Sequence, residues 1–247
     1  MPDVLLPDFA AEARKVRSRT LLDIESRPER LMDATLRSQR AGSMRFAFRD
    51  SLVGFGEALR DVLLEWGVPD RAISTNDTPV AGHFIDRKFW DFVIRDSGGR
   101  TLVLIELQTM LSFWRSRSVS GFACTFHRLL GMLFDAQRAR RRAFVGIVVV
   151  RLSLARAPSA HRPSRRALTS GARIHQRLQR FHATCRSSDL LDAMAYLDLT
   201  PGAECEPLNE LSVERFLRTL YDKLLAIPQE AWRKPAPSLR PDRLMRA

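Results

Sequence analysis

No uninterrupted apolar run in this 247-residue chain reaches the roughly 18 residues that a membrane-spanning helix needs. The opening residues, MPDVLLPDFAAEARK, lack both the basic n-region and the long apolar h-region of a secretory leader, so a cytoplasmic location is expected. Cysteine is scarce. Cys124, Cys185 and Cys205 are widely spaced and odd in number, which fits neither a disulfide framework nor a CxxC metal site. They read as reduced thiols, and metal binding through sulfur is not expected. There is no internal repeat.

The most informative absence is local. From Leu107 to Ser188 there is no Lys and one acid, Asp135, against sixteen Arg. The rest of the chain holds 24 basic and 27 acidic residues, so the whole net charge of +12 originates in that one third. A basic field of this size favours a polyanion, and nucleic acid is the usual one. A second origin also fits the composition. Arg, Ser, Ala and His without Lys result when GC-rich DNA is read out of frame, and RSRSVSGFACTFHR and RLSLARAPSAHRPSRRALTSGARIHQR have that character.

What is present reads as one large domain, or a core with appendages. Residues 9–40 are charged, helix-compatible and weakly periodic, which predicts an exposed arm. In MRFAFRDSLVGFGEALRDVLLEW (44–66), Leu52, Phe55, Leu59, Val62, Leu63 and Trp66 recur at spacings of three and four, predicting an amphipathic helix that stops at Gly67. Strands are expected at 79–85, 88–95 and 101–107, a helix at 119–139 and a doubly buried strand at 143–151. A Pro/Ser/Arg-rich loop (154–172), a helix over 173–198 and a last helix at 212–226 follow. Boundaries fall after 43, 152 and 227: an arm, a core, a basic and helical C-terminal region, and an irregular tail over 228–247.

The order helix, three strands, helix, strand frames one anomaly. KFWDFVIRDSGGRTLVLIELQ places Asp91 and Glu106 in strands otherwise built of Val, Ile, Leu, Phe and Trp. If Gly98-Gly99 form a two-residue type I′ turn, Asp91 lies directly opposite Glu106, with Cβ atoms about 4.5–5.5 Å apart. A three-residue loop would put the two on opposite faces. Gln108, two residues beyond Glu106, shares its face. Like charges facing each other across a ladder are destabilising, and burial adds a desolvation cost. A divalent cation between them removes both penalties. Carboxylate oxygens suit Mg²⁺, which can activate water and stabilise charge developing on phosphate. The plainer reading is two solvated strand residues.

Further candidates are weaker. His83 and Arg87 precede the hairpin, and a lone His at a strand start is more often structural. Glu57 lies on the first amphipathic helix, where a solvated face is the commoner role. Arg138, Arg140, Arg141 and Arg142 form a phosphate-binding patch or a polar helix end. His127, His161, His175 and His182 have no mutual metal-ligand spacing.

An α-β-β-β-α-β order with an acid on the middle strand and a Glu-x-Gln on the next resembles the PD-(D/E)xK nuclease superfamily. Asp91 fills the Asp position and Glu106 the Glu position, while Gln108 stands where Lys is usual. SLVGFGEALRDVLLEWGVPD, GHFIDRKFWDFVI, RAFVGIVVV and PLNELSVERFLRTL resemble XhoI-type type II restriction endonucleases. The resemblance implies an α/β fold, a mixed sheet flanked by helices. It also implies a homodimeric, Mg²⁺-dependent enzyme cutting double-stranded DNA at a short palindrome such as CTCGAG, paired with a methyltransferase. Asp91 and Glu106 would hold the metal and Gln108 would position water. Arg87, Lys88, Arg115, Arg117, Arg138 and Arg141 would contact DNA, with Glu57 and His83 as accessories. The family's Gly- and Asn-rich stretch after its Glu-x-Lys has no counterpart in TMLSFWRSRSVSGF. The alternative is a degenerate DNA-binding relative that keeps the fold and has lost the chemistry.

Overall fold

Val103, Ile105 and the run Val145–Val150 have no polar side on which to meet water, and the strands that contain them form the centre of a five-stranded sheet. The structure is a computed structural model that describes residues 6–26, 53–77, 90–112, 133, 143–153, 165–199 and 211–233. The strands are β1 (Ile73–Asp77), β2 (Trp90–Arg95), β3 (Thr101–Ser112), β4 (Phe144–Ser153) and β5 (Ala193–Asp198), ordered as they occur in the chain. The first three pair antiparallel, and β3–β4 and β4–β5 pair parallel, so the sheet is mixed. The helices are α1 (Phe9–Ser26), α2 (Val53–Glu65), α3 (Arg165–Ser187) and α4 (Val213–Leu225). The protein is therefore α/β, a five-stranded mixed sheet flanked by helices. No helix among the described residues is long and apolar enough to cross a membrane.

One sheet face, carrying Phe92, Ile94, Val103, Ile105 and Val148, is covered by α1, α2 and α4. The other, carrying Val93, Leu104, Ile147, Val149 and Met194, packs against Leu178 and Cys185 of α3 and against Leu133. Parallel strands covered on both sides read as unbroken apolar runs, which is why β4 is evident from sequence. In α2 the buried Phe55, Leu59, Val62 and Leu63 follow the helical repeat. The helix closes as a Schellman motif: Gly67, at φ +83, donates to the Leu64 carbonyl, and Val68 donates to that of Leu63. Ser212 caps α4 by accepting from the Arg215 amide.

Several elements differ from the sequence reading. α1 is not an exposed arm. Phe9 and Val16 are buried, and the Phe9 ring meets Trp66 and Tyr221 edge-on at 6.0 and 5.5 Å. Thr20 is buried as well, Ala13 and Leu21 pack against the same core, and Lys15 pairs with Glu65 and Arg19 with Asp61 of α2. Residues 27–52 lie outside the described ones. So do the predicted strand at 79–85 and all of the predicted helix at 119–139 except Leu133, which is helical and buried. The first described strand is the more polar Ile73–Asp77. α3 begins at Arg165, inside the predicted loop, and ends at Ser187, eleven residues before the predicted helix does. Asp189, in the left-handed region at φ +53, turns the chain, and β5 occupies the remainder. In the predicted tail, Gln229–Trp232 form a 3₁₀ turn whose Ala231 carbonyl accepts from the Ser97 amide.

Candidate functional site

The hairpin that joins β2 to β3 decides whether the carboxylates meet. Its loop is not the expected two-residue turn. Asp96 N–H donates to the Arg100 carbonyl, and the Asp96 carbonyl accepts from Gly99, which makes Ser97, Gly98 and Gly99 a three-residue loop. The Asp96 side chain explains the choice. Its Oδ1 accepts from the amides of Gly98 and Arg100 at 3.0 and 2.8 Å, and Gly99 takes φ +81. An Asx-type acceptor followed by a left-handed Gly builds this longer loop rather than type I′.

That loop alone would place Asp91 and Glu106 on opposite faces. A β-bulge cancels it. Arg95 pairs with Thr101, but Ile94 pairs with Val103, so Leu102 is an extra residue on β3. Leu102 and Val103 consequently both enter the core under α2. The register beyond the bulge, Val93↔Leu104 and Phe92↔Ile105, continued by one residue sets Asp91 against Glu106.

Both residues lie on the sheet face packed by α3, in line with Val93 and Leu104. Glu106 is 3 % exposed, and Asp91 is half-buried. Asp91 Oδ2 accepts the Leu107 amide at 2.7 Å, tying this carboxylate to the partner strand. Neither is a solvated surface residue. A buried and a half-buried carboxylate on one face offer hard oxygen donors, the set Mg²⁺ accepts while keeping several waters. Among the described residues no group of three His, Cys, Asp or Glu forms, so water or substrate oxygens would complete such a coordination sphere. Gln108 lies in β3, in register with Val149 of β4, and its side chain is outside the described ones.

Glu57 does not join them. It is 60 % exposed on α2, which covers the other face, with Arg19 Nη2 at 3.9 Å. That is the solvated-face role. His83, Arg87, Lys88, Arg115, Arg117, Arg138 and Arg141 lie outside the described residues.

Sequence reasoning missed a polar group on the same face. In the parallel ladders Gln108 aligns with Val149 and Tyr196, and Met110 with Arg151 and Asp198. The Arg151 side chain is 1 % exposed and donates through Nη1 to Asp198 Oδ2 at 2.7 Å. Tyr196 donates to the same oxygen at 3.2 Å. Burial, then the neighbouring Asp198 charge, pushes the Tyr196 hydroxyl well above its ordinary range, so it stays protonated. The His175 ring stands 5.8 Å from that of Tyr196. An Arg closing the run Val148-Val149-Val150 is the one available signal, but its partner is evident only once β5 is known.

No family model, no curated protein and no solved structure matches this chain.

Proposed function

We propose that this protein is a Mg²⁺-dependent DNA endonuclease with a PD-(D/E)xK-type core. The observation that carries the reading is the opposition of Asp91 and Glu106 on one face of a β-hairpin, followed by a strand parallel to β3. Two acids facing each other on a largely buried sheet face have no neutral solution except protonation, a cationic side chain or a metal. The order α2-β1-β2-β3-β4, with helical Leu133 between the last two strands, supports it.

Asp91 and Glu106 would hold the cation, which when bound supplies an activated water and neutralises charge on the phosphate. Glu106, packed between apolar neighbours, stays where its strand puts it, and the Leu107 amide fixes the Asp91 rotamer. Gln108 orients water by hydrogen bonding but brings no charge. Useful phosphodiester hydrolysis needs well over 10 kcal/mol off the barrier, on the order of what a metal site and not a lone amide supplies. The narrower reading is an XhoI-type type II restriction endonuclease: a cytoplasmic homodimer cutting at CTCGAG and partnered in its system by a methyltransferase. It is supported by sequence resemblance alone.

The test is incubation of purified protein with unmethylated plasmid in Mg²⁺, with an EDTA control and Asp91→Asn alongside. Discrete Mg²⁺-dependent fragments that vanish in Asp91→Asn, with DNA binding retained, are expected. Normal cutting by Asp91→Asn overturns the assignment. Gln108 in the Lys position, together with a structural bond on Asp91, favours a second reading: a DNA-binding relative without chemistry. Wild-type protein that binds DNA and never cuts it would establish that one.

A further inference from the structure

The Leu107 amide already engages one oxygen of the Asp91 carboxylate. Asp91 Oδ2 accepts this N–H at 2.7 Å, from the neighbouring strand. A hydrogen bond to an ionised carboxylate is roughly twice as strong as a neutral one. It also fixes the side-chain rotamer, so Oδ2 stays turned toward the β3 backbone. Oδ1 is the oxygen that this bond does not use.

Around the pair, further oxygen donors are scarce. Ile147 is in register with Glu106 on β4, and Val93 and Leu104 lie one step toward the hairpin. The remaining acid among the strand residues of this face is Asp198. It aligns with Met110, four residues beyond Glu106, which is about 13 Å along the strand. Its Oδ2 accepts from both Arg151 and Tyr196. Among the described residues no group of three His, Cys, Asp or Glu could hold a metal ion.

One-ion and two-ion centres ask different things of these residues. A two-ion centre holds divalent cations about 3.5–4 Å apart, which a bridging carboxylate must link. It would set four positive charges against the two negative ones of the pair. A single divalent cation balances the pair, and Mg²⁺ is commonly held by one or two carboxylates while keeping several waters. We infer that Asp91 and Glu106 take one divalent cation per chain. Asp91 ligates through Oδ1 alone, and the Leu107 amide holds Oδ2 away from a second ion. This rests on the metal-dependent reading proposed above and goes beyond it, because that reading holds equally for one ion or two.

The test is titration of the full-length protein with Mn²⁺, which shares the oxygen ligands of Mg²⁺, with unbound Mn²⁺ read by electron paramagnetic resonance. The number of ions bound by wild type minus the number bound by D91N/E106Q counts those held by the pair and subtracts surface binding. A difference of one ion per chain is expected. A difference of two overturns the inference and leaves the metal-dependent reading standing. No difference overturns both. The double variant is nearly isosteric and removes two opposed like charges, so it is expected to fold, as circular dichroism would show. If it does not fold, the wild-type spectrum at saturating Mn²⁺ decides. Isolated-ion signals are expected there, and the exchange-coupled signal of two ions about 3.5–4 Å apart overturns the inference.

Discussion

Replacing Asp198 by Asn removes a negative charge from beside an arginine that water does not reach. The Arg151 side chain is 1 % exposed, whereas that of Asp198 is 20 % exposed, and the two meet at 2.7 Å. At about 4 Å between charge centres and an effective dielectric near 20, their attraction is on the order of 4 kcal/mol. The two partners are not equivalent. Asp198→Asn removes the charge facing a guanidinium whose desolvation has already occurred, and it weakens the acceptor of the Tyr196 hydroxyl. Loss of about 3 kcal/mol is expected, the low end for breaking a buried pair because Asp198 lies near water. Arg151→Met leaves an apolar stem of similar volume and an aspartate that water partly reaches, so it should cost only about 1–2 kcal/mol.

The double variant then discriminates. With neither charge present, nothing buried is left uncompensated, and R151M/D198N should be no less stable than R151M alone. The coupling would be about 3 kcal/mol, far outside the few tenths seen between independent sites. Urea unfolding at 25 °C, followed by circular dichroism on the wild type, both single variants and the double, gives all four corners. Additive losses, or Asp198→Asn costing less than Arg151→Met, would refute the argument that desolvation of Arg151 dominates this cluster.

Two further expectations concern stability. In Gly146→Ala the new Cβ would stand 2.8 Å from Phe144 Cε1 and 2.8 and 2.9 Å from two atoms of the Phe216 ring. Both rings are buried, so a cost of about 1–3 kcal/mol in urea unfolding is expected, partly recovered by adding Phe216→Leu; an unaffected midpoint would contradict this packing. Asp192 is exposed as a residue, but its carboxyl accepts the Val145 amide at the sheet, where partial desolvation raises its pKa above the ordinary 3.8. An acid with a raised folded pKa binds its proton more tightly when folded, so its contribution to stability is lost as pH rises through that window. Asp192→Asn keeps an acceptor oxygen and removes the titration. Its stability relative to wild type should therefore climb with pH from the ordinary Asp range upward and then level off. A flat difference between pH ~3.5 and ~7 would sink the assignment of carboxyl desolvation as the cause.

Legibility in the sequence followed the strength of the hydrophobic repeat. α2, β4 and α4 are evident because each buries a face whose period or continuity is strong, and because Gly67 and Ser212 mark their ends with the usual residues. β5 is not evident, and the reason is a turn. α3 ends on a left-handed Asp189, a position that Gly or Asn usually signals, and AMAYLD contains no Val or Ile to announce a strand. Losing β5 conceals Asp198, and with it the role of Arg151. α1 is under-read for another reason: its inner side is Phe9, Ala13, Val16, Thr20 and Leu21, in which an alanine and a threonine interrupt the apolar repeat that a periodicity test looks for.

The carboxylate pair is legible for a reason other than turn chemistry. Two departures from the simplest hairpin, a loop one residue longer and a bulge at Leu102, cancel in parity. Their agreement is not coincidence in physical terms. Val103 and Ile105 must face α2 while Leu104 faces α3, and a strand slipped by one residue would invert all three. The core therefore fixes the face of Glu106, and β2, with Phe92 and Ile94 held in the same way, fixes that of Asp91. The loop and the bulge absorb whatever residue count is left over. A site built on two strands with buried faces on both sides tolerates a wrong turn assignment, whereas one built on turn geometry would not.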